Sequence, residues 1–131
     1  MDLQDKRIFL VEDNIGNLTI IKTLLESHGA LVATHRSGHD VLPHLKNFLP
    51  VDLIILDLML PSGVTGYDIS AAIQNQPELV DIPIIAMSVI DRSKVIPEAK
   101  KRGFAGYIAK PIDFQMFPQQ IGAIIAGEHI W

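Results

Sequence analysis

Cysteine is absent from the 131-residue chain, which excludes disulfides, thiolate zinc sites and cysteine nucleophiles while saying little about compartment. Long apolar runs are missing as well. The best stretch, residues 53–60, is interrupted by Asp57, so no membrane span is expected. The polar start Met1-Asp2-Leu3-Gln4-Asp5-Lys6-Arg7 leads into an apolar run, 8–11, that is far too short for a signal-peptide core. Excess positive charge is lacking too. A net charge of −4 argues against a nucleic-acid surface, because duplex binding relies on clustered Lys and Arg to displace counterions from phosphates. The one cationic cluster, Lys100-Lys101-Arg102, reads as a solvated helix end. Neither a G-x-G-x-x-G nor a G-x-x-x-x-G-K-[ST] loop occurs.

What is present is an ordinary globular composition, 48% hydrophobic and 20% charged, in a length that fits a single domain, 1–131, with a core at about 6–126. The default expectation is a cytoplasmic protein. Five short runs rich in Ile, Val and Leu, at 8–11, 31–34, 53–56, 84–87 and 107–109, predict strands. Between them lie helical spacings: Leu18, Ile21, Leu24 and Leu25 form one face, and Phe117, Ile121, Ile124 and Ile125 another. Ser37 with Asp40 predicts a capping box, Gly29 and Gly103 predict helix ends, and Asp113 is placed to cap the last helix. Five β-α units read as an α/β protein with a parallel sheet and helices on both faces, and right-handed crossovers restrict it to doubly wound arrangements. Pro43, Pro97 and Pro118 fall inside helical segments, where an interior proline costs on the order of 3 kcal/mol. Each fits a first turn instead, which would shift that helix start toward the C-terminus. The periodic pattern stops near Ala126, and 127–131 leave no room for an output domain.

Four strands end in reactive polar groups: Glu12-Asp13-Asn14, Asp57, Ser88 and Lys110-Pro111. Parallel strands place their carboxyl ends along one sheet edge, so these groups are expected to converge. The adjacent acids Glu12 and Asp13 resist desolvation unless a cation or hydrogen bonds compensate; the plainer alternative is a solvated turn with Asp13 or Asn14 capping the next helix. Adding Asp57 gives hard oxygen ligands of the sort magnesium (Mg2+) accepts alongside water and phosphate. Pro111 makes the bond after Lys110 a cis-peptide candidate, and a flexible ammonium serves as a point charge for phosphate. Alone, Lys-Pro is a turn and Ser88 a strand-ending hydroxyl. In conjunction, Asp57 can act as a carboxylate nucleophile forming an acyl phosphate, a metal can neutralise the phosphoryl oxygens, and Ser88 and Lys110 can bind the rest. His28, His35, His39, His44 and His129 lack a repeated metal-ligand spacing and read as surface or capping residues.

From about Lys6 to Ala126 the chain resembles the receiver domain of the two-component response regulators. Ile8-Phe9-Leu10-Val11-Glu12-Asp13-Asn14 with Asn17, Asp57 with Pro61, Ser88, and Lys110-Pro111 reproduce that family's active-site set in order. The resemblance implies a flavodoxin-like (βα)5 fold with a five-stranded parallel sheet of order 2-1-3-4-5. It also implies that Asp57 is the phosphoacceptor, and that Asp13, Asp57 and the main-chain carbonyl of Met59 bind Mg2+, with Glu12 acting largely through water. Ser88 and Lys110 would bind the phosphoryl group, and Tyr107 would be the aromatic that changes rotamer with it. The implied role is a stand-alone single-domain switch, catalysing at most its own phosphotransfer and dephosphorylation. The donor would be a histidine kinase or histidine phosphotransfer protein, and the downstream protein partner would dock on the face made by the fourth helix, fifth strand and fifth helix. A phosphate-independent interaction module of the same fold and a receiver segment of a hybrid histidine kinase are the alternatives. Departures from the family pattern carry expectations of their own. Gly66 lies nine residues after Asp57 rather than eight, so the intervening loop is one residue longer. Val89 is larger than usual and narrows the approach to Asp57, while Met59 and Ile90, at positions that tune hydrolysis, cannot orient a water by hydrogen bonding. Pro97 falls in the fourth helix, part of the expected signalling face.

Overall fold

A computed structural model describes residues 2–61 and 63–131. Strands and helices alternate as β1 (Arg7–Val11), α1 (Ile15–Ser27), β2 (Leu31–His35), α2 (Val41–Asn47), β3 (Leu53–Asp57), α3 (Gly66–Gln74), β4 (Ile84–Ser88), α4 (Arg92–Lys101), β5 (Gly106–Ala109) and α5 (Phe117–Ile125). The sheet is parallel throughout, in the order β2-β1-β3-β4-β5. This is the doubly wound, flavodoxin-like topology expected from the sequence, and its switch point lies between β1 and β3.

The strands read as continuous apolar runs because both faces of the sheet are covered. Phe9, Val11, Ile54, Leu56, Ile84 and Ala86 point into a core shared with α2, α3 and α4. Their neighbours Ile8, Leu10, Leu53, Ile55, Ile85 and Met87 point the other way, into a core shared with α1 and α5. Every side chain of β3, Asp57 included, is buried. That alternation places the strand ends, and therefore their polar groups, on a rigid support.

Helix termination follows the glycines. Gly29 and Gly103 have φ of 96° and 82°, and each lets the chain reverse so that two amides bond back to the last turn: Gly29 and Ala30 to Glu26 and Leu25, and Gly103 and Phe104 to Lys100 and Ala99. Helix starts differ from expectation. Ser37 and Asp40 form no capping box; the Ser37 hydroxyl accepts from the His39 amide, and Asp40, at φ 60°, makes no side-chain cap for α2. The capping box belongs to α3, where Thr65 and Asp68 satisfy each other's amides. Asp113 caps the turn that precedes α5, accepting from the Gln115 and Met116 amides, rather than the helix itself. Pro43 and Pro118 sit in first turns, but Pro97 is inside α4. It supplies no N–H to the carbonyl one turn earlier, that of Ser93.

Packing extends past 6–126 at both ends. Leu3 is fully buried against the α1 and α5 core, and Ile130 forms a parallel bridge with Gly106 on the outer edge of β5. Trp131 packs on the core beneath α2, α3 and α4.

Candidate functional site

At the switch point, β1 delivers Glu12 and Asp13 and β3 delivers Asp57. Glu12 is 1% exposed and Asp57 4%, whereas Asp13 is half-buried. Each of the three offers a carboxylate oxygen, and these oxygens lie within 4.8 Å of one another. Asn14 caps α1 through its side chain, which accepts from the Asn17 amide, and its own amide donates to Glu12 Oε2 at 3.1 Å. The helix start thereby turns Asp13 outward and ties Glu12 inward.

Lys110, from the end of β5, reaches across the sheet edge. Its Nζ donates to Glu12 Oε1 at 2.6 Å and to Asp57 Oδ2 at 2.9 Å. The second Asp57 oxygen, Oδ1, accepts from the Met59 amide at 2.9 Å. Lys110–Pro111 is a cis peptide, as is Leu49–Pro50. Burial raises the Glu12 pKa above the ordinary carboxylate value, and the neighbouring Asp57 carboxylate adds to the rise against the pull of Lys110. For Lys110 burial works against the ammonium, but Glu12 and Asp57 outweigh it and its pKa is raised. Such buried pairs add little net stability, because desolvation offsets attraction. Their meaning is chemical: three carboxylates face one ammonium, an excess of negative charge that a hard divalent cation would neutralise. Among the described residues this is the one set of three His, Asp or Glu side chains close enough to hold a metal, and it contains no histidine.

Ser88 ends β4, 1% exposed, and its hydroxyl accepts from the Ile90 amide at 3.1 Å. Its carbonyl accepts the Lys110 amide at 2.8 Å and the Tyr107 hydroxyl at 3.0 Å. Tyr107 is fully buried, and its hydroxyl also donates to the Ile90 carbonyl at 2.6 Å. The loop after Asp57 closes through Gly66, whose amide donates to the Leu58 carbonyl. A Cβ on Gly66 would stand 2.7 Å from the Asp57 main-chain oxygen, so the longer connection still packs tightly where it returns to β3. Val89 and Met59 are 71% and 56% exposed, with most of their bulk in solvent, while Ile90 is half-buried.

Two features escaped the sequence reading. Exposed Ile20 and Phe114 flank a cleft of about 140 Å³ that is also lined by Asn17, Met87, Lys110 and Pro111, so an apolar rim adjoins the charged site. Phe114 and Met116, large apolar residues in a connecting turn, were the available signal. The second is Arg92, whose guanidinium lies 5.9 Å from the Tyr107 ring; no local pattern marks it. His35 and His44 pack ring to ring with centroids 4.5 Å apart and planes tilted by 35°; the His35 carbonyl accepts the Glu12 amide at 3.0 Å, but neither imidazole belongs to the acidic set.

Comparison with known proteins adds a family and a fold. Residues 8–122 match the response regulator receiver domain family. The polar-differentiation response regulator DivK of Brucella ovis is 31% identical over 116 residues, covering 88% of this chain and 93% of that protein. Protein PilH of Pseudomonas aeruginosa is 26% identical, covering 92% and 98%. Among solved structures, a response regulator from Chloroflexus aurantiacus superposes with a TM-score of 0.85 at 24% identity, covering 94% of this chain and 99% of that one. The chemotaxis protein CheY4 of Vibrio cholerae gives 0.82 at 22% identity, covering 89% and 96%.

Proposed function

The chain belongs to the response regulator receiver domain family, and from that premise we propose that it is a phosphorylation-dependent switch whose acceptor is the Asp57 carboxylate. The observation that supports this most strongly is the Lys110 ammonium, held 2.9 Å from Asp57 and 2.6 Å from Glu12. Positive charge stands where incoming phosphoryl oxygens need it. An Asp57 carboxylate oxygen attacks phosphorus in line, forming the acyl phosphate, while the bond from phosphorus to the donor breaks and its electron pair leaves with the donor. With a phosphohistidine donor that bond is P–N, and the imidazole departs. Lys110 then pairs with a phosphoryl oxygen, and the Ser88 hydroxyl, already at the strand end, donates to another.

The clustered carboxylate oxygens of Glu12, Asp13 and Asp57 fit Mg2+. When bound it neutralises charge on the transferring group. Asp13, Asp57 and the Met59 main-chain carbonyl would hold it directly. Glu12, engaged with Lys110 and the Asn14 amide, would act through water. A histidine kinase or histidine phosphotransfer protein would reach Asp57 from the open side, where the rim of Ile20 and Phe114 provides apolar contact area. Signal output then passes through Tyr107 to the face of α4, β5 and α5. Action without an attached effector is supported by the 93% and 98% of the two relatives' lengths that are covered. No helix among the described residues is long and apolar enough to cross a membrane, and a cytoplasmic role fits this reading. Incubation with acetyl phosphate and Mg2+ tests the proposal: intact-mass spectrometry should show one added phosphoryl group that is lost in Asp57→Ala. An unchanged adduct in that variant would refute the assignment.

A further inference from the structure

The outer edge of β5 is occupied. Residues 128–131 run back along it, with the Tyr107 amide donating to the Ile130 carbonyl at 2.9 Å and the Ile130 amide donating to the Ala105 carbonyl at 3.2 Å. Beyond the bridge, Arg92 at the start of α4 donates to the Trp131 main-chain carbonyl at 3.1 Å. The Lys100 ammonium lies 5.3 Å from the Trp131 ring, which packs on the core. Gly106 shows how close the approach is: a Cβ there would stand 2.5 Å from the Ile130 carbonyl oxygen. Edge strands usually carry bulk or charge that discourages pairing. A glycine here leaves the edge open to another backbone.

We infer that the β5 edge with the adjoining face of α4 is a strand-addition surface, that residues 128–131 of this chain are its occupant, and that a phosphoryl group at Asp57 releases them. The inference rests on the reading of Asp57 as acceptor. Tyr107 carries the connection, because its amide holds Ile130 while its hydroxyl holds the carbonyls of Ser88 and Ile90. The Ser88 carbonyl also takes the Lys110 amide, so one residue joins the lysine of the acid site to the tyrosine under the segment. Drawing the Ser88 hydroxyl toward a phosphoryl oxygen takes it from the Ile90 amide and shifts the 88–90 turn. Arg92 follows two residues later, and the anchor on Trp131 moves with it. Packed contacts of this kind switch between discrete arrangements rather than deforming continuously. Linkage then requires the effect to run both ways: whatever loosens the segment favours the phosphoryl-bound state by the same factor.

Trp131 is the chain's one tryptophan, so intrinsic fluorescence reports the segment directly. Beryllofluoride with Mg2+ serves as the phosphoryl stand-in on the full chain, its binding measured by calorimetry with Asp57→Asn as the control. Saturation should shift Trp131 emission to the red and increase quenching by acrylamide. Gly106→Ala, which crowds out Ile130 without touching the acid site, should show both changes with no ligand and bind beryllofluoride about five-fold or more tightly. Arg92→Ala, which removes the anchor and leaves the strand edge intact, should move both readouts in the same direction and covers the case in which Gly106→Ala fails to fold. Saturated binding with unchanged emission, or parent-like affinity in the loosened variants, overturns the coupling. Failure of the parent to bind beryllofluoride at all overturns the acceptor reading and the coupling with it.

Discussion

Lys110 and Glu12, 98 positions apart in the chain, meet at 2.6 Å between Nζ and Oε1, and the same ammonium bonds Asp57. The ion pair satisfies both groups without balancing the site, since Asp13 and Asp57 add negative charge beside it.

That imbalance sets a pH dependence. Burial and Asp57 raise the Glu12 pKa in the folded protein above its ordinary 4.5. A carboxyl group shifted in this direction contributes stability below its unfolded pKa and loses it as pH rises through the folded one. Glu12→Gln should therefore melt a few degrees above the parent near neutral pH in the absence of divalent cations, with the gap closing toward pH 4.5. Thermal melts across that range check it, and a parent that is the more stable protein at neutral pH contradicts the sign.

Magnesium affinity should distinguish the two neighbouring acids. With Asp13 half-exposed and free to ligate, and Glu12 engaged with Lys110, Asp13→Asn is expected to lose more affinity than Glu12→Gln. The outer-shell change should cost about ten-fold, and the direct ligand substantially more. Calorimetric titration separates them; equal losses would mean that the loop after Asp57 has altered the coordination.

Gly66 packs on the backbone of Asp57 and Leu58, and its missing Cβ is what allows α3 to start there. Gly66→Ala should destabilise the fold by about 1–3 kcal/mol through overpacking and slow phosphorylation, because the displaced backbone carries Asp57. Urea denaturation with parallel phosphorylation kinetics tests both effects. A variant as stable as the parent would show that the connection relaxes freely.

Hydrolysis of the acyl phosphate should be slow for a receiver. Met59 and Ile90 flank the site, and neither orients an attacking water. Met59→Asn and Ile90→Glu are expected to accelerate dephosphorylation of the isolated protein about ten-fold or more, followed by loss of the added mass over time. If neither does, the longer loop rather than these side chains sets the rate.

The strands and the converging acids were legible because each rests on local chemistry, whereas the strand order came from the family resemblance alone, since crossover handedness leaves several doubly wound arrangements open. Ile, Val and Leu runs buried on both faces have no reading other than strand at that length, and an acid directly after such a run must emerge at the sheet edge. Helix starts were less legible. Ser37-x-x-Asp40 and Thr65-x-x-Asp68 have equivalent spacing, and only the backbone entering α3 has the extended conformation that a cap needs, whereas Asp40 is left-handed. Pro97 was expected in a first turn because propensity disfavours its interior position, but Val95 and Ala99 bury the helix on either side of it, and packing prevails over propensity. The pairing of residues 128–131 with β5 left no trace at all: a few residues have no periodicity to detect, and Gly106 reveals its purpose only beside Ile130.

If Asp57 itself carries the phosphoryl group, chemical location of the bond will find it there. After incubation with acetyl phosphate and Mg2+, borohydride reduction converts an acyl phosphate to the corresponding alcohol, and peptide sequencing by mass spectrometry finds the altered residue. Homoserine at position 57 and at no other acid is the expected result. Homoserine at position 13, 2-amino-5-hydroxypentanoic acid (the reduction product of a glutamyl phosphate) at position 12, or a phosphorylated protein with Asp57 unreduced, would contradict Asp57 as the acceptor.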